Sequence, residues 1–269
     1  MAFRTIEISD AEHERDHLRL VTVKSAALKG RGDISVFVPP GCETQALPIV
    51  ILLHGVYGSH WAWALKGAAH KTALALIEKK RIRPMILAMP SDGLFGDGSG
   101  YVAHQADYES WIVRDVPAAV CEAAPQADSK TLFISGLSMG GFGALRLGGK
   151  FAALFRGISA HSSITHFSQM AQFVEEPLNV YGMLPESEQF AAHALIGHAP
   201  TLPPLRFDCG ASDPLIEPNR ALHRELLAAG VPHRYDEFSG GHGWEYWREH
   251  LTDSLLFFDE CLRAPAKSE

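Results

Sequence analysis

Apolar residues fall along this chain in short runs cut by glycine, proline and charge, and the runs are of two kinds. HLRLVTVKS (17–25) and DISVFVP (33–39) alternate apolar with polar, and RGD and PPGCET bracket the second. That pattern predicts two antiparallel strands with one face towards water. LPIVILLHG (47–55), PMILAMP (84–90), KTLFISG (130–136) and FRGISAHS (155–162) are nearly continuous, as expected of strands covered on both faces. Helix-like stretches at 62–80, 106–123 and 139–150 lie between or after these runs. Strand then helix, repeated, predicts parallel strands joined by right-handed crossovers.

The period is lost over 163–203, where a polar start, FVEEPLNVYGMLPESEQF and HAPTLPP suggest short helices and loop. Strand patterns return at LRFDCG (205–210) and HRYDEF (233–238), with a helix near 217–229 between them. A last helix begins near Trp244, with Trp244, Trp247, Leu251, Leu255 and Phe258 at three- and four-residue steps, a stripe made to be buried. No repeat or linker divides the chain, so it reads as one α/β domain over 1–269, with 163–203 as a cap-like insertion.

Composition narrows the function classes. Hydrophobic residues make up 46% and charged residues 20% of the 269 positions, which suits a globular fold with a large core and excludes disordered and membrane-spanning classes. A net charge of −7 offers no general attraction for phosphate backbones or anionic lipid, and the densest basic cluster, Lys79, Lys80, Arg81 and Arg83, reads as an exposed helix end. Neither nucleic acid nor a membrane is expected as a partner, and self-association is left open. The start carries acids and no apolar core of a secretory signal, and the four cysteines, Cys42, Cys121, Cys209 and Cys261, form no CxxC pair. Both features point to reduced thiols in a cytoplasmic setting.

The chemistry concentrates at FISGLSMGGFGAL (133–145), where Gly136-Leu137-Ser138-Met139-Gly140 fits G-x-S-x-G between a buried strand and a helix. A serine there sits on a tight strand-to-helix turn, with the helix N-terminus favouring developing negative charge. Serine needs a base, and fourteen histidines compete for the role. His242 lies between glycines just past the last strand run, whereas His54 precedes the serine and adjoins a loop suited to an oxyanion hole. In the order serine, acid, histidine, the base is His242 and the acid is Asp213, which follows the 205–210 strand. Asp208 is the rival, but it falls inside that strand; for Asp213 the bland alternative is a helix cap. The oxyanion donors expected are the amides of Met139 and of Val56, beyond Gly55. His13-Glu14-Arg15-Asp16-His17 has the spacing of a zinc-protease helix, but it lies in a polar segment leading into a strand and reads as chance. No metal or cofactor is expected.

Together, LLHGVYGSHWAW, GLSMGGFGALRLGG, GASDPLIEPNRALHREL and GGHGWEYWREHL resemble the esterase D-type esterases of the α/β-hydrolase superfamily. That group spans tributyrin-type esterases, S-formylglutathione hydrolases, feruloyl and acetylxylan esterases and mycolyltransferases. The resemblance runs over about residues 18–260. It implies a largely parallel α/β-hydrolase sheet, metal-independent hydrolysis, Ser138 as nucleophile, Asp213 as acid, His242 as base, and Val56 and Met139 as backbone oxyanion donors. One departure is Leu137, which stands where the S-formylglutathione hydrolase pattern has histidine.

The expected activity is therefore serine carboxylesterase action on a small-molecule ester with a small or aromatic acyl group. Acyl transfer and thioester hydrolysis with the same triad are the alternatives, and a silent binding protein is the least favoured. His54, Gly55, Trp61, Trp63, Tyr101, Trp244 and the 163–203 insertion are expected around the substrate, because each follows a strand end that should face the site.

Overall fold

The computed structural model describes residues 3–263. Nine strands form one sheet: β1 (Phe3–Ile8), β2 (Leu18–Ser25), β3 (Gly30–Phe37), β4 (Leu47–Leu53), β5 (Ile86–Pro90), β6 (Ala127–Leu137), β7 (Phe155–His161), β8 (Leu205–Gly210) and β9 (Arg234–Phe238). Their spatial order is β1-β2-β3-β5-β4-β6-β7-β8-β9. The first three run antiparallel to their neighbours, up to the β3–β5 pair, and β5 through β9 pair in parallel. The sheet is thus mostly parallel and flanked by helices, as the sequence resemblance implies.

The continuous apolar runs are explained by two cores, one on each face. Along β4, Ile49, Ile51 and Leu53 join the core that holds Val116, Val120, Phe142 and Leu145, whereas Val50 and Leu52 join that of Ala73, Leu76, Leu251 and Phe258. Strand side chains alternate, so a strand roofed on both faces must be apolar at every position. The helices Val116–Ala123 and Met139–Lys150 thus cover one face, and Ala69–Glu78 and Trp244–Arg263 the other.

Three elements differ from the pattern reading. β1 is an edge strand whose two inward apolar residues, Phe3 and Ile6, are three apart because its register shifts between them, so it shows no alternation. The stretch 62–80 is two helices, Ala62–Leu65 and Ala69–Glu78, broken where Ala68 turns left-handed at φ 52°. Gly67 is held so close to Trp63 and Trp244 that a Cβ would come within 2.9 Å of the Trp244 ring. Within 106–123, Trp111–Asp115 forms a π turn.

The strand order reverses at β4. The chain passes from β4 to β5 on one side and then to β6 on the other, which leaves a crevice beyond the adjacent carboxyl ends of β4 and β6. The 163–203 segment, short turns and helices as its pattern suggests, is strapped to the helix Met139–Lys150. Lys150 Nζ lies 2.6 Å from Glu188 Oε1, and Arg146, fully buried, binds both Glu188 and Glu109.

Candidate active site

Ser138 follows β6 and stands at the N-cap position of the next helix with φ 55° and ψ −121°, a positive-φ backbone strained for any residue but glycine. Its neighbours show what the turn demands. A Cβ on Gly136 would meet Gly140 O at 2.0 Å, and one on Gly140 would meet Leu53 O at 2.3 Å. The G-x-S-x-G spacing therefore lets β6, β4 and the helix start crowd together beneath the serine.

His242 brings Nε2 to 3.0 Å from Ser138 Oγ and Nδ1 to 2.9 Å from Asp213 Oδ2. The loops that carry them are tight. A Cβ on Gly210 would strike Gly240 O at 2.5 Å, and Gly240 itself has φ 132°. Asp213 Oδ1 also accepts the Leu215 amide at 2.8 Å, a bond in the turn before the helix Ile216–Ala228; the N-cap of that helix is Leu215 and takes no side-chain cap, so Asp213 is not the helix cap. Burial works to raise the Asp213 carboxyl, but hydrogen bonds from His242 and Leu215 outweigh it and hold the group below its ordinary value. With Asp213 accepting the hydrogen bond from Nδ1–H, Nε2 is left to accept from serine.

The β4 loop passes directly over the serine: a Cβ on Gly55 would lie 3.3 Å from Ser138 Cβ. His54 secures that loop. Its Nδ1 donates to Gly55 O at 2.7 Å, and its Nε2 accepts the Asp92 amide at 3.1 Å. Val56 follows on the cavity wall, and Met139 contributes the first amide of the helix, one of the N–H groups that no helical carbonyl can reach.

These groups open into a cavity of ≈ 160 Å³ walled by His54, Gly55, Val56, Trp61, Trp244 and Trp247, among others. Phe173, from the insertion, stacks on His242 at 5.1 Å between centroids, and Trp247 meets it edge-on at 5.0 Å. Tyr101 is placed differently from expectation. It is fully buried behind the β4 loop, donating to His54 O at 3.1 Å, and does not line the cavity, because the segment after β5 folds back against the helix at Gly143. Trp63 is buried as well; its Nε1 donates to Leu53 O at 2.9 Å while its ring supports Trp244. Phe173 also lines the cavity, from the insertion expected at its mouth, though the aperiodic segment does not single it out; Lys66 lines it too, and nothing in its local pattern marks it. His13 and His17 lie in the turns between β1 and β2, not on a helix.

Known proteins share this architecture. The chain is 28% identical over 235 residues to an acetyl esterase of Caldicellulosiruptor saccharolyticus, spanning 79% of this chain and 84% of that protein. It superposes on a ferulic acid esterase with a TM-score of 0.75 at 22% identity, covering 96% of this chain and 99% of that one. On S-formylglutathione hydrolase from Agrobacterium tumefaciens the TM-score is 0.76 at 18% identity, covering 97% and 100%. At those identities the structural likeness is one of fold. Residues 25–258 match the family described as "Putative esterase", and the chain belongs to that family.

Proposed function

We propose that this chain is a serine esterase that cleaves carboxylic esters of small acyl groups through an acyl-enzyme on Ser138. The observation that carries the reading is the Ser138–His242–Asp213 relay at 3.0 and 2.9 Å, opening on a cavity at a helix N-terminus. His242 Nε2 takes the Ser138 proton as Oγ attacks the ester carbonyl. The Val56 and Met139 amides stabilise the resulting oxyanion, and Asp213 stabilises the imidazolium. His242 then gives the proton to the alcohol oxygen, the acyl-enzyme forms, and water activated by the same imidazole releases the acid.

Cavity size supports a small acyl group: ≈ 160 Å³ is below the ~300 Å³ at which sites for drug-sized ligands begin. Four cysteines without a disulfide support a reducing, cytoplasmic setting; among the described residues no helix is long and apolar enough to cross a membrane. We read 1–269 as one domain, since the relay draws on β6, on the loop after β8 and on the turn before the last helix.

The test is p-nitrophenyl acetate turnover with rapid mixing. The expected result is a burst of one p-nitrophenol per chain, abolished in Ser138→Ala; turnover retained by that variant overturns the reading. Repeating the assay with added alcohol separates hydrolysis from acyl transfer by product ratio.

A further inference from the structure

Of the fourteen residues lining the cavity, Lys66 is the only Lys, Arg, Asp or Glu. Its Nζ lies 5.7 Å from the centroid of the Trp244 ring, within the range of a cation–π contact. No carboxylate lies within 4.0 Å of that ammonium among the described residues, whereas Lys71 and Lys150 are both paired with acids. The main chain at this lysine is also pinned. Its amide donates to Ala62 O at 2.9 Å, its carbonyl accepts Arg248 Nη2 at 3.2 Å, and Gly67 packs on Trp244. The cavity thus carries one unneutralised positive charge on a fixed aromatic wall.

The position of that charge relative to the reacting atoms follows from the rings. Trp247 meets His242 edge-on at 5.0 Å, Trp244 meets Trp247 edge-on at 5.4 Å, and Lys66 sits over Trp244. The departing alcohol oxygen must come within hydrogen-bond reach of His242 Nε2 to take its proton. The alcohol half of the ester therefore lies on the side of His242, Trp247 and Trp244. We propose that Lys66 and Trp244 form an anion-recognising subsite for the alcohol half, so that the esters favoured by this protein carry a negatively charged group on their leaving alcohol. The proposal rests on Ser138 and His242 acting as the nucleophile and base.

Two acids near the mouth face other partners: Asp97 accepts the Tyr57 hydroxyl at 2.9 Å and the Glu175 amide at 2.6 Å, and Glu176 accepts the Asp97 amide at 3.1 Å; neither lines the cavity, nor does Glu175. Tyr57, its phenol pushed up to about 12 by the bond to Asp97, adds no charge to the wall. Against a net charge of −7, preference for an anion must come from such a local cation, because the field of the whole protein opposes it.

The test compares 4-acetoxybenzoate with its neutral isostere 4-acetoxybenzamide, as the ratio of their kcat/KM values at low ionic strength. In Lys66→Met the ratio should fall by about 2–5-fold, the worth of an exposed charge contact or cation–π site. Lys66→Glu should lower it further, and added salt should shrink the wild-type preference. An unchanged ratio in both variants overturns the subsite. A Lys66-dependent gain confined to 4-nitrophenyl hydrogen succinate, whose charge is on the acyl half, overturns its placement. Ser138→Ala, run alongside, separates the two readings: full activity there sinks the catalytic assignment, whereas an inactive Ser138→Ala with an unchanged ratio in the Lys66 variants sinks the subsite alone.

Discussion

Two Ser–His–Asp relays sit in this molecule, and they differ in everything except residue type and spacing. In the first, His242 stands 3.0 Å from Ser138 Oγ and 2.9 Å from Asp213 Oδ2. In the second, His161 stands 2.8 Å from Ser254 Oγ and 2.9 Å from Asp208 Oδ2. Yet the second relay is sealed between β7, β8 and the last helix, with Ser254, His161 and Asp208 all 0% exposed. Its bonds close into a ring: Arg206 Nη2 lies 2.8 Å from Asp208, Arg206 Nη1 donates to Ser159 at 3.2 Å, and Ser159 and Ser254 share a bond of 2.6 Å. The Tyr246 hydroxyl adds a further bond to Asp208 at 2.8 Å. An imidazole between a carboxylate and a hydroxyl is simply a well-satisfied buried arrangement. What sets the first relay apart is its opening on a cavity and its serine on a strained turn at a helix N-terminus, which the proposed chemistry requires.

The largest effect should separate the two serines. Ser138→Ala is expected to lower kcat by about 10⁴-fold or more with KM little changed, whereas Ser254→Ala should leave kcat within a few-fold. Mass spectrometry after treatment with a fluorophosphonate should find the adduct on Ser138 alone. A Ser254 adduct would mean that the sealed relay opens to solvent.

Stability should show the reverse order. Asp208→Ala leaves His161 without its acid and Arg206 with only the exposed Asp236 at 3.8 Å, and loss of one partner of a buried ion pair costs about 3–5 kcal/mol. Urea unfolding should register that loss, while activity per folded molecule falls far less than in Ser138→Ala. Comparable losses of activity and stability would make the second relay part of the catalytic apparatus.

A smaller effect concerns pH. Burial works to raise the Asp208 carboxyl, but the His161 imidazole, then Arg206 and Tyr246, hold it below its ordinary value. A carboxylate whose folded pKa is depressed stabilises the fold above its unfolded pKa, and that contribution disappears as pH falls through the folded value. Unfolding free energy measured from pH 6 downwards should therefore decline less steeply in Asp208→Asn than in the wild type. Equal slopes would show that the Asp208 carboxyl titrates alike in the folded and unfolded chain, so that the fold does not depress it.

Much of the first relay is legible in the sequence because each member sits at a strand end, where local pattern locates it. Ser138 follows an apolar run, Asp213 follows LRFDCG, and His242 lies between glycines after HRYDEF. Nothing linear announces the second. Ser159 and His161 share one face of β7, Arg206 and Asp208 the same face of β8, and Ser254 meets His161 across 93 residues. Only the register Ser159↔Arg206 and His161↔Asp208 brings them together. Asp208 is excluded from catalysis by its place inside a strand, but that place does not reveal which helix covers it. Tyr101 shows the opposite failure: the end of β5 does point towards the site, yet the segment that follows turns back into the core. The length and aperiodicity of such a connection hide where its side chains finish.

The smallest expected effect tests how the open histidine is held. His161 is fixed by hydrogen bonds through both ring nitrogens, to Asp208 and Ser254. His242 is bonded through both nitrogens too, to Asp213 and Ser138, but in the proposed mechanism its Nε2 must give up that bond to exchange protons, and its ring also rests on Phe173 and the edge of Trp247. An aromatic contact of this kind contributes about 0.5–1.5 kcal/mol beyond burial, which sets the expected loss in kcat for Phe173→Ala at about 2–13-fold. Phe173→Leu fills part of the same space without the ring, so it should recover packing but little of the rate if stacking is what orients the imidazole. Both variants should keep near-normal urea midpoints, because Phe173 is only partly buried and lies outside the sheet. If kcat is unchanged and only KM rises, Phe173 acts on the substrate as a wall of the cavity and the imidazole needs no support beyond Asp213.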